Sequence, residues 1–121
     1  LMGDLSTHFN REEFACKCGC GFDTVDSMLL SVLEDVRVHF DNSVTINSGC
    51  RCLSHNKAVG SKSNNSQHVK GRAADIVVGG TSPEDVQMYL LFRYPDMFGI
   101  GEYSTFTHID TRSDGPARWE G

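Results

Sequence analysis

In one segment of the chain, apolar residues recur at steps of three and four positions, a pattern that predicts an amphipathic helix. It runs from Asp26 to Phe40, and the apolar residues that follow these steps are Met28, Leu29, Val32, Leu33, Val36 and Phe40. A helix with one apolar stripe has to bury that stripe against a second layer. The next segment, SVTINSG, alternates β-branched and polar residues and ends at Ser-Gly, which predicts a strand of four or five residues. A helix followed by a strand favours an α+β arrangement.

The second half of the chain continues this pattern. AADIVV at 73–78 predicts a buried strand, and GGTSP ends it. Ser82 then predicts a helix N-cap, with Pro83 as the first helical residue and acidic residues in the first turn. The segment MFGIGEYSTFTHIDTR predicts a strand at or before Gly101, a turn near Ser104 and a strand through FTHID. Near the start of the chain, Asn10 and Glu13 form a capping-box pattern.

Length and composition predict one small domain. The chain has 121 residues, of which 39% are apolar, enough for a single core. We therefore predict one α+β domain over residues 1–121, with helices packed on a mainly antiparallel sheet. Residues 1–25 are predicted to be a cysteine-rich N-terminal extension of the same domain.

Charge and hydropathy limit the classes of function that the chain can have. The net charge is -5 and the eleven basic residues are scattered, so nucleic acid is not an expected partner. No apolar stretch approaches the roughly 18 residues of a membrane span, and the first residues lack the pattern of a signal peptide. We expect a soluble protein without membrane insertion, and nothing in the pattern indicates an oligomeric state.

The five cysteines fall into two groups, Cys16, Cys18 and Cys20 in the first and Cys50 and Cys52 in the second. Their odd number argues against a full disulfide framework, and the C-x-C spacing is poor for a disulfide within one strand. Three interpretations stay open: a structural zinc held by the first group and a partner from the second, one disulfide between the groups, and thiols packed as small apolar side chains.

The segment SQHVKGRAADI sets His68 and Asp75 seven positions apart. Seven residues span about 23 Å along a strand and about 10 Å along a helix, whereas two ligands of one zinc ion nearly touch. The two side chains can share an ion only if the chain reverses between them, and Gly71 provides the backbone freedom for a reversal. Asp75 lies in an apolar strand, where an ionised carboxylate needs a partner such as a metal.

His108, in the strand FTHID, is the candidate for a third ligand. Two histidines and one carboxylate leave a fourth position for water, which is the pattern of a catalytic zinc. Spacing alone does not decide between this site and histidines that are merely packed or solvated.

Two segments together resemble the M15 zinc peptidases, in particular the small D-Ala-D-Ala carboxypeptidase-like members of bacteria and phages. They are INSGCRCLSHNKAVGSKSNNSQHVKGRAADI and GIGEYSTFTHIDTRSDGPARW. The shared core reads Ser66-x-His68-x-x-Gly71-x-Ala73-x-Asp75, followed by His108-x-Asp110. The likeness covers roughly residues 44–119, and the opening HFNREEFACKCGCG also resembles phage-encoded members.

The resemblance implies a Zn²⁺ site whose ligands are His68, Asp75 and His108. It also implies a small α+β fold shared with the signalling domain of hedgehog proteins, which works mainly as a binding module. Since one fold serves both purposes, a non-catalytic zinc-containing module remains the alternative to a peptidase.

The resemblance also suggests catalytic residues. Family members commonly carry an acid or a histidine a few positions before the last zinc ligand. Thr105, three positions before His108, cannot act as a base. Glu102, six positions before, is acidic as in the hedgehog-type arrangement and is the first candidate for the general base. Asp110 shares a strand face with His108 and could serve as a base or hydrogen-bond a ligand imidazole, the role that we favour.

Three residues match positions that contact substrate in the family. Arg51 would bind a carboxylate or stabilise a developing oxyanion, and Ser66 and Gln67 would hydrogen-bond peptide groups. Cys50 departs from the family, where an aromatic residue such as tyrosine is common beside this arginine.

The implied substrate is a stem or cross-link peptide of bacterial peptidoglycan, and the candidate bonds include D-Ala-D-Ala and L-Ala-D-Glu. A phage-encoded enzyme of this kind would be cytoplasmic until release through a holin-type pore, or would be carried by the virion.

Overall fold

The computed structural model describes residues 4–21, 25–49, 51 and 67–121. A short 3₁₀ helix at Arg11–Phe14 precedes the first α-helix. The α-helices and strands are α1 (Ser27–Phe40), β1 (Val44–Ser48), β2 (Ala73–Val78), α2 (Pro83–Arg93), β3 (Gly99–Glu102), β4 (Thr107–Asp110) and β5 (Ala117–Glu120). Both predicted helices and the four predicted strands are confirmed. The fifth strand was not predicted.

The five strands form one sheet in the order β1-β2-β4-β3-β5. Neighbouring strands are antiparallel except for β3 and β5, which pair in parallel. The predicted α+β architecture, with helices on a mainly antiparallel sheet, is therefore confirmed. Sequence patterns missed β5 because it is only four residues long, ARWE, and Trp119 is its single residue of a type enriched in strands.

One face of the sheet forms the core with both helices. Helix α1 buries Leu29, Val32, Leu33 and Val36, and α2 buries Val86 and Leu90. Sheet residues in the same core include Ile46, Ala74, Ile76, Ile100 and Ile109. Because side chains alternate along a strand, the residues between them point to the opposite face. That opposite face carries Asp75, Gly99, Gly101, His108 and Asp110.

The two helices are joined by polar contacts as well as by the core. The Ser82 hydroxyl accepts a hydrogen bond from the Asp85 amide at 3.2 Å, which confirms the predicted N-cap of α2. The Tyr89 and Tyr94 hydroxyls each donate to the Asp35 carboxylate of α1 at 2.7 Å. In the described ranges, neither helix combines the length and apolar character that crossing a membrane requires.

The N-terminal segment packs on the same core. Phe9 and Phe14 are both 1% exposed and belong to the core cluster. Glu34 of α1 holds the segment by accepting hydrogen bonds from the Ser6 hydroxyl at 2.6 Å and the His8 amide at 2.8 Å. Gly49 touches this segment from the end of β1, since a Cβ there would lie 2.7 Å from the Phe14 backbone. The 3₁₀ helix therefore packs directly against Gly49.

Candidate metal centre

Two adjacent strands and one turn bring together the predicted ligands. Asp75 of β2 and His108 of β4 are direct cross-strand partners, so both side chains project from the same face of the sheet. His68 lies in the turn before β2. Gly71 closes that turn with a φ of 71°, a left-handed conformation that favours glycine. The reversal that the seven-residue spacing required is therefore present.

The three side chains converge on Asp75. Its Oδ1 atom lies 3.4 Å from Nε2 of His68 and 3.0 Å from Nδ1 of His108. One ligand atom from each residue lies within 4.8 Å of the other two. His68 and His108 are 4% and 8% exposed, so the group is largely enclosed by protein. The arrangement fits a site for one metal ion with two nitrogen ligands and one oxygen ligand.

The ring of His68 is oriented by the backbone. Its Nδ1 lies 2.6 Å from the carbonyl oxygen of Gly49, which can only accept a hydrogen bond. Nδ1 therefore carries the proton, and in the neutral ring Nε2 presents its lone pair towards Asp75. Hydrogen bonds of this kind at the distal nitrogen fix the tautomer of metal-binding histidines.

The ring of His108 is oriented by a carboxylate. Its Nε2 donates to Oδ2 of Asp110 at 2.7 Å, which leaves Nδ1 facing Asp75. Asp110 is fully buried, and Arg112 donates to both of its oxygens, through Nε at 2.8 Å and Nη2 at 2.7 Å. A carboxylate that is itself held by an arginine therefore sets the position of the second imidazole.

The protonation behaviour of the group favours a bound cation. Burial by itself would raise the pKa of Asp75, but its interactions with the imidazoles of His108 and His68 outweigh burial and hold that pKa well below the usual range. Burial would likewise lower the pKa of His108, yet its contacts with Asp110 and Asp75 raise it. Two ionised carboxylates, Asp75 and Asp110, therefore lie beside the His108 imidazole. They stabilise positive charge at this place, and a bound divalent ion would supply such charge.

Two glycines leave room for this arrangement. A Cβ at Gly99 would lie 2.6 Å from Oδ1 of Asp110 and 2.7 Å from Nε of Arg112. A Cβ at Gly101 would lie 2.6 Å from Nε1 of Trp119. The centroid of the Trp119 ring lies 4.9 Å from that of His108, so the tryptophan forms one wall beside the imidazole. Side chains at either glycine would displace groups that contact His108.

The structure does not bring Glu102 to the group. Gly101 is the cross-strand partner of His108, whereas Glu102 pairs with Thr107 and therefore shares its face of the sheet. The Thr107 hydroxyl accepts a hydrogen bond from Gln87 of α2 at 3.2 Å, which identifies this as the helix-covered face. Glu102 lines an open cleft of about 510 Å³ at the start of α2, together with Glu84.

Two of the predicted substrate-binding residues, Arg51 and Gln67, lie next to the candidate ligands in space or in sequence. Arg51 lies beside the group, with Nη2 3.6 Å from Oδ2 of Asp75 and Nε donating to the Ser48 hydroxyl at 3.2 Å. Gln67 begins the turn that carries His68, and its side-chain oxygen is buried without a hydrogen-bond partner among the described residues. Ser66 and Cys50 lie outside the described residues.

Sequence reasoning missed Arg112 and Trp119 as parts of the site. The signal for Arg112 was its position two residues after Asp110, which places both on one face of an extended chain. Nothing local pointed to Trp119, because it reaches His108 only through the parallel pairing of β5 with β3.

Comparison with known protein families matches residues 7–110 to the peptidase M15 family. No curated protein and no solved structure gives a significant match. The family match covers most of the chain and includes all three residues of the candidate metal centre. The chain belongs to the peptidase M15 family.

Proposed function

We propose that this chain is a zinc-dependent peptidase that hydrolyses a peptide bond in the stem or cross-link peptides of bacterial peptidoglycan. The observation that carries the proposal is the convergence of His68, Asp75 and His108 in a member of the peptidase M15 family. The resemblance of the N-terminal segment to phage-encoded members supports a role as a phage endolysin.

The donor set supports zinc as the metal. Two imidazole nitrogens and one carboxylate oxygen are the protein ligands of many catalytic zinc sites, which keep a further position open. A zinc ion held there would supply Lewis-acid polarisation of the scissile carbonyl and lower the pKa of a coordinated water to about 7.

The chain's own residues preorganise this chemistry. The Gly49 carbonyl fixes the ring of His68, and Asp110 fixes the ring of His108, so both ligand nitrogens face Asp75 before any ion binds. We propose that Asp110 is a positioning residue, because its carboxylate is fully buried and already engaged by His108 and Arg112.

Arg51 is the proposed substrate contact nearest the metal centre. Its guanidinium lies 3.6 Å from the Asp75 carboxylate and is partly exposed. A planar cation in this position suits the terminal carboxylate of a stem peptide or the oxyanion that develops during hydrolysis. We propose that Ser66 and Gln67, which directly precede His68, hydrogen-bond the peptide groups of the substrate.

A digest of purified sacculi tests the proposed activity. We expect the zinc-loaded protein to release peptide fragments whose masses identify the cleaved bond, with no release after chelation and recovery on adding zinc. Sacculi from several wall chemistries should be compared, because the bond differs among D-Ala-D-Ala, L-Ala-D-Glu and cross-link types. The absence of chelator-sensitive cleavage in all of them would contradict the proposal.

A zinc-containing binding module without turnover is the second candidate. It is favoured by the positions of the two acidic residues first considered as general bases, since Glu102 faces the helix layer and Asp110 is enclosed. Such a module would bind zinc and retain peptidoglycan peptides without cleaving them. The same digest, combined with a pull-down on insoluble sacculi, separates the two candidates.

Replacing Glu102 by glutamine tests the role of general base that the sequence predicted for it. Loss of a general base reduces the rate by about 10²- to 10⁴-fold while zinc remains bound. Because Glu102 lies on the opposite face of the sheet from His108, we expect Glu102→Gln to keep both its rate and its zinc. Glu84→Gln, in the same cleft, is the matched control. A large fall in kcat specific to Glu102→Gln would assign the base to Glu102.

A further inference from the structure

A second group of metal-ligand residues lies in the N-terminal segment, away from the candidate metal centre. Cys16, Cys18 and Cys20 each have a sulfur within 4.8 Å of the other two. The Sγ atoms of Cys16 and Cys18 are 3.4 Å apart. Alternating residues of an extended chain would point the same way but lie further apart, so the backbone must turn to gather all three thiols.

The turn is built by the glycines between and after the cysteines. Gly19 has a φ of 81° and Gly21 a φ of 90°, both in the left-handed region. The Gly19 amide donates to the Cys16 carbonyl oxygen at 3.2 Å, which closes a turn over Lys17 and Cys18. The sequence CKCGCG therefore folds its thiols onto one side of a tight loop.

The separation of the sulfurs suits zinc. Two thiolates on one tetrahedral zinc, each about 2.3 Å from the metal, lie about 3.8 Å apart. The observed separations of up to 4.8 Å allow this arrangement with small side-chain rotations. Cys16 is 4% exposed and Cys18 and Cys20 are exposed, so the group lies at the surface with one buried anchor.

We propose that Cys16, Cys18 and Cys20 bind a structural zinc ion, separate from the ion of the proposed peptidase site. Each thiol releases its proton to solvent as its sulfur binds the metal. Structural zinc has four ligands as a rule, so these three thiolates leave one coordination position for a further ligand. The group requires a reducing environment, because oxidation of the thiols removes the ligands.

The ion would stabilise the segment that supports the metal centre. The 3₁₀ helix ends at Phe14, two residues before Cys16, and its backbone touches Gly49. The Gly49 carbonyl in turn orients the ring of His68. A metal crosslink at 16–20, directly after this helix, would reinforce the support that Phe14 gives to Gly49.

Metal counting on the full chain tests the inference. Protein prepared under reducing conditions and loaded with zinc is freed of excess metal and analysed for zinc per chain. We expect two ions in the wild type and in Lys17→Ser, a control in the same turn, and one ion in Cys18→Ser and in Cys20→Ser. His68→Ala should also retain one ion.

Cobalt loading gives a readout independent of peptidase activity. Cobalt bound by thiolates has an intense charge-transfer absorption in the near ultraviolet, which imidazole and carboxylate ligands do not produce. This absorption should appear in the wild type and in His68→Ala and disappear in Cys18→Ser and Cys20→Ser. A wild-type protein that binds one ion and shows no thiolate absorption would overturn the inference, even if it cleaves peptidoglycan. A disulfide among these cysteines that persists under reducing conditions would overturn the inference as well.

Discussion

Replacing His68 by alanine is expected to abolish both metal binding at the His68, Asp75 and His108 group and hydrolysis of peptidoglycan. The change removes one of two imidazole ligands and leaves the other two side chains unable to complete the coordination. Loss of an outer hydrogen-bond partner costs such sites about 10- to 100-fold, so loss of a direct ligand should lower kcat/KM by more than about 100-fold. Zinc titration and the sacculus digest measure the two effects.

His39→Ala is the matched control for this variant. His39 is an exposed imidazole on α1 that stacks on Tyr89, with ring centroids 3.7 Å apart, and it belongs to the helix layer. Its removal should leave zinc binding and hydrolysis unchanged. Because His68 is buried and bonded to Gly49, circular dichroism of His68→Ala should confirm a folded chain. Full hydrolysis by a folded His68→Ala protein would contradict the assignment of this residue as a ligand.

Replacing Asp110 by asparagine is expected to weaken zinc binding by about 10- to 100-fold while preserving the fold. Asparagine has the same shape but no charge, so it cannot stabilise the partial positive charge of the His108 ring or pair with Arg112 as a carboxylate does. The lost activity should be recovered in part at high zinc concentration, because the carboxylate positions a ligand and does not itself bind the ion.

The zinc dependence of the rate separates this positioning role from a role as general base. A base variant would lose rate at every zinc concentration, whereas a positioning variant loses mainly affinity for the metal. Asp114→Asn, at an exposed carboxylate close in sequence, is the control and should behave as the wild type. An Asp110→Asn protein with normal zinc affinity and a low kcat at saturating zinc would contradict the positioning role.

Local patterns predicted most of the fold. The apolar stripe of Asp26–Phe40 and the Ser82-Pro83 start each produced a helix where expected, and the predicted β1, β2, β3 and β4 all formed. Each of these elements is encoded by residues that are close together in the chain. Strand β5 was missed because it has only one residue of a type enriched in strands, and its parallel pairing with β3 has no hairpin turn to signal it.

The candidate site was predictable only in part. The resemblance supplied its three ligand residues, and strand alternation correctly placed Asp110 on the same face as His108. Alternation also places Glu102 on the opposite face from His108. The sequence could not show this, because the relative facing of residues on β3 and β4 depends on the turn at 103–106 and on the register between the two strands. The role of Glu102 remains a prediction that its glutamine variant tests.

The sequence by itself determined that His68 and Asp75 could meet only through a reversal of the chain, and it marked Gly71 as the place. This followed from covalent distances, which no tertiary contact can change. Only the tertiary structure decided what holds the ligands in position. Gly49 reaches His68 across nineteen residues, and Trp119 reaches His108 through the pairing of β3 with β5. Such contacts depend on how separate elements pack, and the pattern of residues along the sequence does not show that packing.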